Sequence, residues 1–189
     1  MPPLRVMTLA SILLLSGTSA LPKKVAQSHC DTFVNIHSQK GTFLIKGEFY
    51  VKAPLSTTWS VLTDYAHISD FIGSVNSSEI LEHEKTTLLI RQEISGKVFF
   101  IDKAFSLKLL IHEYPREMIS FTDISQKNFA VYEGSWQLSS VQGKTRVIYQ
   151  LKAKPTGWTP WILGKRVFKS NARKLLDEIR LEIIRRTAG

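Results

Sequence analysis

Three polar residues sit at positions where alternating strands should point inward. Gln92, Lys103 and Asp123 share the parity of the apolar residues around them, and side chains two apart in a strand lie on one face. A polar group inside an otherwise apolar cavity can orient a ligand oxygen or take part in acid–base work. A bulge that flips the parity, or a strand that has already ended, would place the same residue outside. For Lys103 and Asp123 those alternatives weigh more, because burying an unpaired charge is costly. Tyr65, Tyr132 and Tyr149 add three hydroxyls that need partners when buried. More committed chemistry finds no motif. There is no Gly-x-Ser-x-Gly and no G-x-x-x-x-G-K phosphate loop. Carboxylates are scattered, and His29, His37, His67, His83 and His112 lack ligand spacing. No catalytic residue, metal site or cofactor is therefore assigned.

Aromatic bulk is the stronger signal. Phe49, Trp59, Tyr65, Phe71, Phe105, Tyr132, Trp136 and Tyr149, together with Ile90 and Gln92, are the candidate lining of an internal cavity. Taken singly, each ring has a plainer explanation as core packing. A second candidate site is "TGWTPWILGKR", where Trp158 and Trp161 stand beside Lys165 and Arg166. Indoles favour the membrane interface and cations favour anionic headgroups. Tryptophans packed on a sheet edge are the plainer reading of that stretch.

These residues need elements to hold them. "GTFLIKGEFYVKAP" alternates as a half-buried strand, with Phe43, Ile45, Phe49 and Val51 on one side. In "APLSTTWSVLTDYAHISDFI", Pro54 suits a first helical turn, and Leu55, Trp59 and Leu62 share a helical face. "HISDFI" adds one more turn before Gly73. From "SSEILEHEK" to "KTRVIYQLKAKP" the chain is almost all strand, and turns such as "SQKN" and "VQGK" predict antiparallel hairpins. Thr159 and Pro160 then open a long helix. Its apolar stripe runs through Phe168, Ala172, Leu175, Leu176, Ile179 and Ile183. About 25 residues would span roughly 38 Å, enough to cross a whole sheet.

The predicted fold is thus α+β: a curved antiparallel sheet of about six to seven strands, two short helices after the first strand, and a long C-terminal helix across the concave face. One helix cannot fill such a face, so a cavity should remain.

The 189 residues carry a formal charge of +9 and one cysteine, Cys30. A lone cysteine makes no intrachain disulfide, so packing must hold the fold. Residues 1–20 read as a signal peptide, with Arg5, an apolar run and small residues up to Ala20. Export to the periplasm or medium is the expectation. Residues 21–40 read as a loose lead-in and 41–187 as the domain. From Lys165 to Arg186 there are eight basic residues against three acidic ones. Nucleic acid is a poor partner for an exported chain, so peripheral contact with an anionic membrane is the better candidate beside ordinary solvation. A monomer is expected.

The order "VKAPLSTTWSVLTDYAHISDFI", "FAVYEGSWQLSS" and "VIYQLKAKP" before a basic helix resembles the START-like superfamily. It is most similar to the polyketide cyclase/dehydrase and coenzyme-Q-binding START-domain branch. The resemblance covers about Gly41 to Arg186. It is carried by Ala53 to Tyr65 and by Gly134 with Trp136, neither of which is a catalytic signature. It implies a helix-grip fold, a deep apolar cavity, and a hydrophobic partner such as a lipid, quinone or polyketide. A carrier or sensor is the first functional expectation. A cyclase or dehydratase using the same cavity is the second, and a membrane-associated module with a vestigial cavity is the third.

Overall fold

The computed structural model describes residues 32–98, 101–157 and 161–189, with side chains described outside 97, 98, 101–103 and 161–163. The expectations for the signal segment, for Cys30, for the Thr159–Pro160 helix start and for the side chains of Lys103, Trp158 and Trp161 fall outside that description. Eight strands form one antiparallel sheet: β1 (Phe33–Gln39), β2 (Thr42–Val51), β3 (Val75–Glu84), β4 (Thr87–Val98), β5 (Ile101–Tyr114), β6 (Met118–Asp123), β7 (Phe129–Val141) and β8 (Lys144–Pro155). Their spatial order is β1-β2-β8-β7-β6-β5-β4-β3. Strands β3 to β8 form a continuous meander, and β8 returns to pair with β2. Between β2 and β3 lie α1 (Leu55–Leu62), a 3-10 turn (Tyr65–His67) and α2 (Ile68–Phe71). The chain closes with α3 (Trp161–Ala188). The α+β helix-grip arrangement is as expected, with a higher strand count.

The extra strand is β1, inside the stretch expected to be a loose lead-in. Its apolar pattern is thin: Val34 is buried, Ile36 is half-buried and Phe33 is exposed. The hairpin that pairs it to β2 has a clear local cause. Lys40 and Gly41 both take positive φ, 49° and 76°, as a two-residue type I′ turn requires. Gln142 and Gly143 (49° and 73°) repeat the device between β7 and β8. Strand β4 runs on through Lys97 and Val98, and Val98 pairs with Ile101 of β5.

Two details of α1 also differ. Pro54 is its N-cap, and its carbonyl accepts from both the backbone N–H and the hydroxyl of Thr58. The buried face is Thr58, Val61 and Leu62; Leu55 and Trp59 are only half-buried. The hydroxyl bond to Pro54 lets Thr58 go inside without leaving a polar group unmet.

Helix α3 buries Ala172, Leu176, Ile179 and Ile183, with Phe168 and Leu175 half-buried beside them. It packs on β2 and β1 at one rim of the sheet and on β4 near the other, and it also meets α1 and α2. Gly47 makes room for the helix, and Gly134 makes room within the sheet. A Cβ on Gly47 would collide with the Leu176 side chain. A Cβ on Gly134 would strike the Gln150 carbonyl and come 2.6 Å from the Phe121 ring. The first obstacle is a side-chain tip, but the second includes backbone. Gly134→Ala is therefore expected to destabilise the fold by about 1–3 kcal/mol through overpacking, read as a lowered urea midpoint with an unchanged slope. An unchanged midpoint would contradict the close approach.

Candidate functional site

The inner face of the sheet is apolar because each strand turns every second residue inward. Val147, Tyr149 and Leu151 on β8, Ile119 and Phe121 on β6, and Leu107, Leu109 and Ile111 on β5 are all buried. Between α3 and this face a cavity of about 140 Å³ remains. Its floor comes from β4 to β8, its roof from Leu175 and Ile179 of α3, and one side from Leu62, Tyr65, Ile68 and Phe71.

Six of the ten residues expected in the lining are there: Tyr65, Phe71, Gln92, Tyr132, Trp136 and Tyr149. Phe49 and Ile90 are fully buried in the core and do not reach the cavity. Trp59 packs half-buried on the outside of that core. Phe105 lies 5.6 Å from Phe129, ring to ring, away from the cavity wall. Alternation predicts an inward direction, and the path of α3 decides which inward residues keep free space.

The polar groups of the wall are mostly engaged. The Tyr65 hydroxyl donates to Glu113 Oε1 at 2.8 Å. The Tyr149 ring is tilted against Trp136, with centroids 4.4 Å apart, and lies near Tyr132. Burial pushes the Tyr65 and Tyr149 hydroxyls well above the ordinary tyrosine value, and the neighbouring Glu113 and Tyr132 add to it. Tyr132 is pushed up to about 12, by burial first and by Asp123 second. All three stay protonated at neutral pH and act as neutral hydrogen-bonding groups.

Asp123 is buried, but it is the last residue of β6, and its carboxylate accepts from Lys108 N–H, Ser125 N–H and the Ser125 hydroxyl. It caps a strand end and is not part of the lining. At the start of α3, Lys165 is half-buried and Arg166 is exposed.

One cluster was not anticipated from the sequence. Arg186 near the end of α3 donates to Glu182 Oε1 at 2.6 Å and to Asp64 Oδ2 at 2.8 Å. Its guanidinium lies 5.4 Å from the Phe71 ring centre. Asp64 also pairs with His67 at 2.7 Å. The cluster thus ties the cavity's lip (Asp64 to Phe71) to the long helix. The i,i+3 and i,i+4 spacings of Asp64–His67 and Glu182–Arg186 are visible in sequence, but the Asp64–Arg186 contact joins positions 122 apart.

The family profile for polyketide cyclase / dehydrase and lipid transport matches residues 51–180, well over half the chain. The protein belongs to that family. Solved structures agree on the fold. The Zhui aromatase/cyclase from a Streptomyces strain superposes with TM-score 0.68 at 17% identity, covering 77% of this chain and 95% of that one. A START superfamily protein from Mycobacterium smegmatis gives 0.64 at 15% identity, with 76% and 99% covered. A STAR-related lipid transfer protein from Xanthomonas axonopodis gives 0.58 at 15%, with 79% and 98% covered. A search of curated proteins found no match. Within this polyketide cyclase family member, the cavity and its lip are the features on which function can act.

Glu182 sets the pH behaviour of the lip anchor. Hydrogen bonds from Arg185 and then Arg186 outweigh its burial and hold its carboxyl at about 2, below the ordinary 4.5. A carboxylate lowered in the folded state stabilises the fold above its ordinary value and loses that contribution as pH falls toward the lowered one. The stability gap between wild type and Glu182→Gln should therefore be largest at neutral pH and shrink toward about pH 2, measured by urea unfolding. A gap independent of pH would rule out the ionised pairing.

Proposed function

We propose that this protein binds a neutral, hydrophobic small molecule or lipid in the cavity between sheet and α3, and that it acts as a carrier or sensor outside the cytoplasm. The observation that carries the reading is the composition of the wall. Among the described residues that line the cavity, the polar side chains are Tyr65, Ser74, Gln92, Tyr132, Trp136 and Tyr149, and the remainder are apolar. Binding in such a site comes mainly from apolar burial, at about 25 cal/mol per Å². A few polar groups fix orientation. Cyclase or dehydratase chemistry, as the family description and the Streptomyces relative suggest, calls for a group that titrates near the working pH. The three tyrosines are pushed the wrong way for that role, which favours the carrier over the enzyme.

Export rests on the pattern of residues 1–20. Membrane contact rests on Trp158 and Trp161 in the sequence and on the basic face of α3. The solvent side of that helix carries exposed Arg166, Arg173 and Lys174, followed by Leu181 and Ile184, 57% and 42% exposed, and then Arg185. A basic strip ending in exposed aliphatics suits the headgroup region of an anionic bilayer.

Native mass spectrometry of protein purified from its own host should show a bound hydrophobic species that dissociates on unfolding. Leu175→Trp fills the cavity from its half-buried roof, and it should lose that species while keeping the wild-type circular dichroism. Retention of the ligand by this variant would place binding elsewhere. Sedimentation with phosphatidylglycerol vesicles should be strong at low salt and weak at high salt, and Trp158→Ala/Trp161→Ala should reduce it. Equal weak binding by both proteins would remove the membrane part of the reading.

A further inference from the structure

We propose that the cavity selects a molecule bearing a hydroxyl on an otherwise apolar, ring-sized body, and that Gln92 is the residue that reads the hydroxyl. This rests on the cavity-binding reading above and narrows it to a ligand class.

Gln92 lies in the middle of β4, between Ile90 and Ile94 on the inner face, opposite Ser78 of β3 and Leu107 of β5. It is only 8% exposed and lines the cavity. Its amide N–H donates to Ser78 Oγ at 3.3 Å. Its carbonyl oxygen has no partner among the described residues. Among the described residues the hydrogen bond of the Gln92 side chain is the one to Ser78, and Tyr65 donates to Glu113 instead. With one end of the amide held by Ser78, the other end reaches free space at the cavity wall and is available to a partner that enters it.

The missing partner has a definable chemistry. No lysine, arginine, histidine or carboxylate is among the described lining residues, so a charged ligand group would be buried without a counter-ion. A lone water would be poorly held, because it needs two to four polar partners and the walls around Gln92 are aliphatic. A neutral hydroxyl donates to Oε1 directly, and it would equally meet the amide if its two ends were exchanged. The apolar surroundings strengthen that bond and shelter the rest of the ligand. The size follows from the volume: about 140 Å³ is close to the roughly 150 Å³ known to admit one benzene ring in an apolar protein cavity. The class is therefore a phenol-like molecule, or the phenol-like end of a longer one whose remainder passes under the lip.

Phenol and toluene test this, since they differ by a hydroxyl in place of a methyl. Affinities for both are measured by calorimetry on wild type and Gln92→Leu, with folding checked by thermal melting. The expected result is about tenfold weaker phenol binding in the variant, with toluene bound as tightly as before or more tightly. In wild-type protein, where folding of the variant is not in question, phenol should shift the Gln92 side-chain amide resonances and toluene should leave them nearly in place. If Gln92→Leu changes phenol and toluene affinity by the same factor, or if phenol leaves the amide resonances unmoved, the hydroxyl-reading role is overturned while cavity binding stands. If neither compound binds wild-type protein, both readings fall.

Discussion

Everything in this molecule depends on where α3 comes to rest. Its apolar stripe must leave water, and the concave face of the sheet is the surface that can receive it. Gly47 provides the seat: without a side chain there, Leu176 drops onto β2 and draws the helix to that rim. The opposite contact, at β4, is lighter. A helix carried on the two sides of a curved sheet leaves the middle strands uncovered. Some inward residues of β5 to β8, among them Leu109, Phe121, Trp136 and Tyr149, then border free space, while Leu107, Val147 and Leu151 stay packed in the core. The cavity is thus a consequence of bridging, and no special lining motif is needed to create it.

That origin explains what could be read in the sequence. Strand parity was legible because a half-buried strand alternates strictly, and Tyr132, Trp136 and Tyr149 reached the cavity as their parity required. Phe49 and Ile90 have the same parity and are fully buried, yet they are absent from the wall. Their side chains point as expected, but they lie outside the free space that bridging leaves. Nothing local distinguishes the two groups, because the difference is made by an element more than seventy residues away in the chain. The same holds for Asp123. Its inward position was legible, but Ser125 in the following turn and Lys108 on the neighbouring strand β5 satisfy its carboxylate and make a candidate cavity group into a strand-end cap.

The strand missed at the N-terminus teaches a related lesson. β1 has only Val34 and Ile36 turned toward the core, too little alternation to outweigh its His, Gln and Asn content. Its place comes from the Lys40–Gly41 turn and from the ladder that β2 offers. Helix α3 also packs against it, and the Thr32 hydroxyl donates to Asp177 Oδ1 at 2.6 Å just before the strand begins. Tertiary pairing made a strand of a segment with weak intrinsic preference, as sheets commonly do.

The lip closes one side of the cavity. Arg186 holds Asp64 and lies over Phe71, but its bond to Glu182 stays within α3, and the bond of Asp64 to His67 stays within the lip. Moving the lip away would separate one ion pair and one cation–π contact, with both charges keeping a partner on their own side, and would also strip Ile68 and Phe71 from the core and the lip from β3. Such contacts are worth about 0.2–1 kcal/mol for a solvent-accessible pair and about 0.5–1 kcal/mol for the ring contact. Glu182 never loses its arginines, so the carboxylate that is most expensive to strand is not stranded. The Tyr65–Glu113 bond, by contrast, runs from the lip to β5, and its breakage would leave a buried hydroxyl unmet. The hold on the lip is therefore uneven: Tyr65 is fixed to β5 through its hydroxyl, while Phe71 is held by the Arg186 contact and by apolar packing, which carries no direction.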